Sequence, residues 1–205
     1  GGAHMSLKDG MKNRIDKAAF GSAFIVSDFT DMMDYETAKK NLTRFEKEGI
    51  IRRVMRGIYD KPRYSNLLQE NAVPNPEEVA KAIARNYNWT IAPTGDAALN
   101  LLGISTQVPS KWEYVSSGPY KEYNIGGAQI NFLHRADSVI FGMSYKSALV
   151  VQTLKMSIST FEKYNKIRNS QSYAHDNNVL NKSEATYVVT IITATLTLIH
   201  KIENQ

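Results

Sequence analysis

Nine of the chain's 25 Lys and Arg side chains fall in residues 35–63, against four acidic ones. Ammonium and guanidinium groups bind anions, so such a local excess is what a surface that tracks phosphates requires; a merely solvated face has the same composition. The bias is local. Residues 1–64 hold 13 basic and 9 acidic side chains, residues 65–156 hold 7 of each, and residues 157–205 hold 5 and 4. Other chemistry is sparse. The absence of cysteine excludes disulfides, thiolate zinc sites and cysteine nucleophiles, and fits an intracellular, cytoplasmic protein. Asp96, Glu113 and Asp137 are scattered, His134 is a lone histidine at the end of a strand, and no phosphate-loop spacing of glycines exists. No metal and no cofactor are expected.

The elements that must position the basic residues can be read from periodicity. Gly1 to Met5 (GGAHM) reads as a tag remnant, which puts the native start at Met5 or Met11. Lys12 to Phe20 carries Ile15, Ala18 and Ala19 at helical spacing. Ser27 is placed to cap a second short helix, with Asp28 at its positive end. A third helix follows Asp34 and runs to about Lys47, where Gly49 ends it. At about 100° per residue it gathers Tyr35, Ala38, Leu42 and Phe45 on one side. Thr37, Lys40, Thr43, Arg44 and Lys47 are then the opposite face. Ile50 to Met55 and Ile58 to Asp60 flank Arg56-Gly57 and read as a hairpin, the glycine supplying positive φ. Three helices and a basic hairpin make a winged helix-turn-helix over residues 12–64. Its third helix would enter the major groove of double-stranded DNA while the hairpin, through Arg52, Arg53 and Arg56, reaches the flanking backbone or the minor groove.

The expected fold class is α+β: this N-terminal winged helix-turn-helix, a small α+β middle domain with a β-meander, and a C-terminal helical hairpin. Residues 65–76, rich in turn formers and with prolines at 74 and 76, read as a linker. Residues 77–156 carry helices over Pro76 to Tyr87, Thr94 to Leu102 and Ser144 to Met156. Strands are expected at Trp112 to Ser117, Tyr120 to Ile125 and Ala128 to His134. Residues 157–205 contribute a short helix, Phe161 to Arg168, and a longer one from Asn181 to Ile202, with Asn181 and Glu184 as its capping box. The longest apolar run, Tyr187 to Ile199, holds four threonines and is far shorter than the roughly 20 residues of a bilayer span, so no membrane is expected.

EKEGIIRRVMRGIY at 46–59, APTGDAALNLLGISTQVP at 92–109 and GGAQINFLHR at 126–135 are the stretches by which positions 12 to about 155 resemble the AbiE-type abortive-infection antitoxins. The resemblance implies a winged helix that binds inverted repeats at its own promoter, and a second domain that neutralises a nucleotidyltransferase-like toxin. The expected function is therefore a transcriptional autoregulator and antitoxin, a homodimer on a palindromic operator, whose partners are DNA and a cognate toxin. Lys40, Arg44, Arg52, Arg53 and Arg56 carry the DNA role by motif position. A protein-interaction scaffold that binds only the toxin is an alternative.

The last fifty residues change character. IRNSQSYAHDN resembles the abortive-infection C-terminal domain and, more widely, HEPN ribonucleases, whose signature is an arginine, a polar residue and a histidine a few positions on. Arg168, Asn169 and His175 match it. The resemblance implies a metal-independent ribonuclease in which His175 moves the proton of an RNA 2′-hydroxyl and Arg168 stabilises charge on the phosphate. The alternative is structural, with Arg168 and His175 capping and bridging two helices, and Tyr173 and Asp176 orienting the histidine in either case.

Overall fold

Ser6, directly after the GGAHM stretch, caps the first helix. The computed structural model describes residues 6–103, 106–135 and 140–155, with positions 158 and 162, and its fold is mixed α+β. α1 spans Leu7–Lys17, five residues earlier than expected, because the Ser6 hydroxyl accepts the Asp9 N–H at 3.1 Å and donates to the Asp9 carboxylate. Met11 and Ile15, one turn apart, are its buried contacts.

The second helix is a single 3₁₀ turn, Val26–Phe29, and Ser27 does not cap it. The Asp28 carboxylate instead accepts the Ile25 N–H at 2.9 Å, while Ser27 is exposed and its carbonyl receives the Thr30 hydroxyl. A two-residue strand, β1 (Ala23–Phe24), precedes it; so short a segment has no visible alternation. α2 spans Tyr35–Lys47, capped by Asp34 as the sequence indicates. Its buried side is Ala38, Asn41, Leu42 and Phe45, whereas Tyr35, expected inside, is 54% exposed. β2 (Arg52–Met55) and β3 (Ile58–Asp60) form the expected hairpin, and β1 adds to it in the order β1-β3-β2. Met11, Ile15, Phe29, Leu42, Phe45, Ile51 and Tyr59 meet in one core beneath these elements.

Residues 65–76 are more structured than a bare linker. Tyr64–Ser65 (β4) and Glu70–Asn71 (β5) make a small antiparallel hairpin whose tip exposes Leu67 and Leu68. α3 (Pro76–Tyr87) follows, with Asn75 capping its first turn and proline inside it. Arg85 on α3 donates to both oxygens of Asp28 and to the Ala23 carbonyl. These elements belong to one compact unit, residues 1–89 with 123–130.

The second unit comprises residues 90–122 and 131–205. Ile91–Thr94 is a strand (β6) that the sequence does not announce, because Pro93 argues against one; it lies at the sheet edge, where proline is tolerated. α4 (Gly95–Leu101), β7 (Lys111–Ser116), β8 (Lys121–Ile125) and β9 (Ala128–His134) fall close to the expected ranges. The sheet order is β6-β7-β9-β8, which corrects the expected meander: β9 sits between β7 and β8. The turn formers at 117–119 carry the chain across rather than straight back, and the Arg135 N–H donates to Ser116 O at 3.0 Å. His134 Nδ1 lies 2.9 Å from the Gly118 carbonyl oxygen, so the lone histidine holds this crossover. Residues 145–155 form α5, whose Ala148 packs with Ala92, Val115 and Ile140. Apart from position 162, the helices expected at Phe161 to Arg168 and Asn181 to Ile202 lie outside the described residues. Among those described, no helix is long and apolar enough to cross a membrane, and no cluster of His, Asp and Glu could hold a metal ion.

Candidate nucleic-acid interface

α2 starts where Asp34 makes it start. One Asp34 carboxylate oxygen accepts the Thr37 N–H at 3.0 Å and the other accepts the Thr37 hydroxyl at 2.6 Å. The hydroxyl bond first, then the backbone bond, holds the Asp34 carboxyl below the usual range. Thr37, expected on the outward face, thus spends its hydroxyl on the cap. Thr43 likewise spends its hydroxyl on its own helix, donating to the Lys39 carbonyl at 3.1 Å.

The three long cations of the face behave differently. Lys40, Arg44 and Lys47 are exposed, and none makes a hydrogen bond or ion pair among the described residues. Arg44 and Lys47 lie in the last turn, where positive charge suits the helix dipole.

On the hairpin only one of the three arginines is comparably open. Arg52 donates through Nε and Nη2 to the two oxygens of Asp60, at 3.0 and 2.6 Å, and through Nη1 to the Ala72 carbonyl at 2.9 Å. Asp60 is 1% exposed, so this bidentate pair is what allows a carboxylate inside the sheet. Arg52 and Asp60 are register partners only because the register shifts between Arg53 and Met55; counting evenly back from the turn would pair Asp60 with Arg53, so the hairpin sequence alone does not disclose this pair. Arg53 donates to the Tyr59 hydroxyl at 3.2 Å, stands over that ring at 5.5 Å and pairs with Glu46 at 3.3 Å. The tyrosine bond and the nearby charge of Glu46 hold its guanidinium even more firmly protonated than usual. Arg56 is exposed at the tip and makes no ion pair among the described residues. Gly57 beside it has φ +79°, the left-handed conformation the turn demands.

Lys40, Arg44, Lys47 and Arg56 are therefore open cations, Arg53 is half committed, and Arg52 is used inside the fold. Sequence reasoning missed Lys39, which is 56% exposed and stands 3.9 Å from Glu36. Arg168, Asn169 and His175, with Tyr173 and Asp176, lie outside the described residues.

DUF6088, described as a family of unknown function, matches residues 10–185, and the chain belongs to that family. No curated protein matches the chain.

Proposed function

We propose that in this family member residues 7–60 act as a winged helix-turn-helix on double-stranded DNA. α2 is the helix that enters the major groove, and the β2–β3 hairpin is the wing. The reading is supported by the element order: a helix, a short strand, a 3₁₀ turn, a second helix and a hairpin whose inner strand takes the short one as its neighbour. The observation that carries it is the set of four cations, Lys40, Arg44, Lys47 and Arg56, left without an internal partner among the described residues on the outward helix and the hairpin tip. Long side chains so placed lose nothing inside the protein when they bind phosphate.

The biological role we assign is regulatory: an autorepressor and antitoxin that binds inverted repeats upstream of its own gene as a homodimer and pairs with a nucleotidyltransferase-like toxin. The test is fluorescence anisotropy of the full chain on upstream duplex from about 50 to 200 mM salt. The expected result is tight binding whose log affinity falls by about 0.9 per phosphate contact per decade of salt. Absence of binding at the lowest salt would end the proposal.

A further inference from the structure

Three acidic side chains, Glu36, Glu46 and Glu48, accompany the cations of α2, and each should repel a polyanion. The fold answers two of them. Glu46 is paired with Arg53 at 3.3 Å and Glu48 with Lys8 at 3.2 Å. Glu36 differs: its side chain is 66% exposed, and its nearest cation, Lys39, is 3.9 Å away and itself open to solvent, a pairing that water and salt screen.

Its place on the helix is specific. With about 100° per residue, the buried arc of Ala38, Asn41, Leu42 and Phe45 leaves Glu36 within about 10° of the outward direction, in line with Lys40, Thr43 and Lys47. It lies in the first turn, the part of a groove-bound helix that meets base edges. The helix start already has its acceptor in Asp34, whose carboxylate takes the Thr37 amide and hydroxyl. A carboxylate there cannot bind phosphate, and it can only accept hydrogen bonds. The donors on the major-groove edge are the cytosine N4 and adenine N6 amino groups. Adenine N6 lies between two acceptors, its own N7 and the O4 of thymine, which repel a carboxylate; cytosine N4 has only the guanine O6 beside it.

We propose that Glu36 determines sequence specificity, its carboxylate accepting a hydrogen bond from a cytosine N4 amino group in the major groove. This rests on the DNA-binding reading above. Lys40, Arg44, Lys47 and Arg56 then supply affinity without regard to sequence, and Glu36 rejects sites at which no amino group meets it.

The experiment selects binders from a randomised duplex pool with the full chain as wild type, E36A and E36Q, then measures anisotropy on the selected and the random duplexes. Thermal melts confirm that the variants fold. The wild type should enrich cytosine at one position per half-site, with about tenfold weaker binding when that base is changed. E36A should lose the preference at that position alone while binding random duplex at least as tightly as wild type. E36Q should move the preference to adenine, which an amide can bind through N6 and N7. An E36A pool with the wild-type motif overturns the inference, as does weaker binding of random duplex by E36A. Wild-type binding without any enrichment also overturns it and leaves the DNA reading standing, whereas a wild-type chain that binds no duplex overturns both.

Discussion

The outward face of α2 and the β2–β3 hairpin each present three residues that charge counting treats alike: Lys40, Arg44 and Lys47 on one, Arg52, Arg53 and Arg56 on the other. On the helix all three are open. On the hairpin, Arg52 neutralises a buried carboxylate, Arg53 is divided between Tyr59 and Glu46, and only Arg56 at the tip resembles the helix residues. The contrast follows from geometry. On a helix face that points away from its core, a cation meets only residues three and four positions along the same helix, as Lys39 meets Glu36, and such pairs are open to solvent. A two-stranded hairpin places each side chain beside a cross-strand partner about 5 Å away. Density of positive charge is thus a poor measure of charge available to a ligand.

The sharpest way to break that contrast is to remove Arg52. R52A should leave Asp60 buried and unpaired and destabilise the fold by about 3 kcal/mol, at the low end for a broken buried pair because Arg52 is itself 29% exposed. A shift in the urea midpoint reads this directly. A variant as stable as wild type would mean that the hairpin arginines are as dispensable as those of the helix.

The helix side of the comparison predicts the reverse pattern. K40A, R44A and K47A should each change stability by less than about 0.5 kcal/mol. Each should also lower the salt dependence of duplex binding by about 0.9 per lost phosphate contact. Unfolding and anisotropy measured on the same samples separate the two classes.

The smallest effect is expected in acid. The Asp34 carboxyl is held below its usual range by Thr37, and that of Asp31 by the bidentate Arg14. For carboxylates depressed in the folded state, the stabilisation is complete above their unfolded pKa and is lost as pH falls through the lower folded value. Stability should therefore decline below about pH 4. D34N, whose amide still accepts the Thr37 N–H but does not titrate, should decline less steeply in urea titrations between pH 5 and 2, a range set by the usual carboxylate values.

The sequence disclosed most where long, strongly periodic runs did the work. α2, α3, the β2–β3 hairpin and β9 lie close to where periodicity, Asp34, Pro76 and Gly57 put them. It failed where an element was too short to show a period or broke a local rule for a tertiary reason. β1 and β4 have two residues each, the 3₁₀ turn is capped by its own third residue rather than by Ser27, and β6 accepts Pro93 because it is an edge. The position of β9 between β7 and β8 depends on a crossover that turn residues alone cannot distinguish from a reversal. In the candidate site the charges were legible but their employment was not: Asp60 was counted as one acid among four, when its burial decides what Arg52 does. Nor does composition separate Glu36 from Glu46 and Glu48, which are paired with Arg53 and Lys8.

Arg85 sets the limits of what can be cut from this chain. Its guanidinium reaches Asp28 and the Ala23 carbonyl, and Val79, Ala80 and Ile83 on the same helix are fully buried. A fragment ending at residue 64 would strip away these contacts, together with the Ala72 carbonyl that receives Arg52. The tip of the β4–β5 hairpin is another matter: Leu67 is 92% exposed there, open to a protease. Cleavage at that point severs one peptide bond and none of the ties on either side of it, so the two pieces remain a single particle until a denaturant parts them.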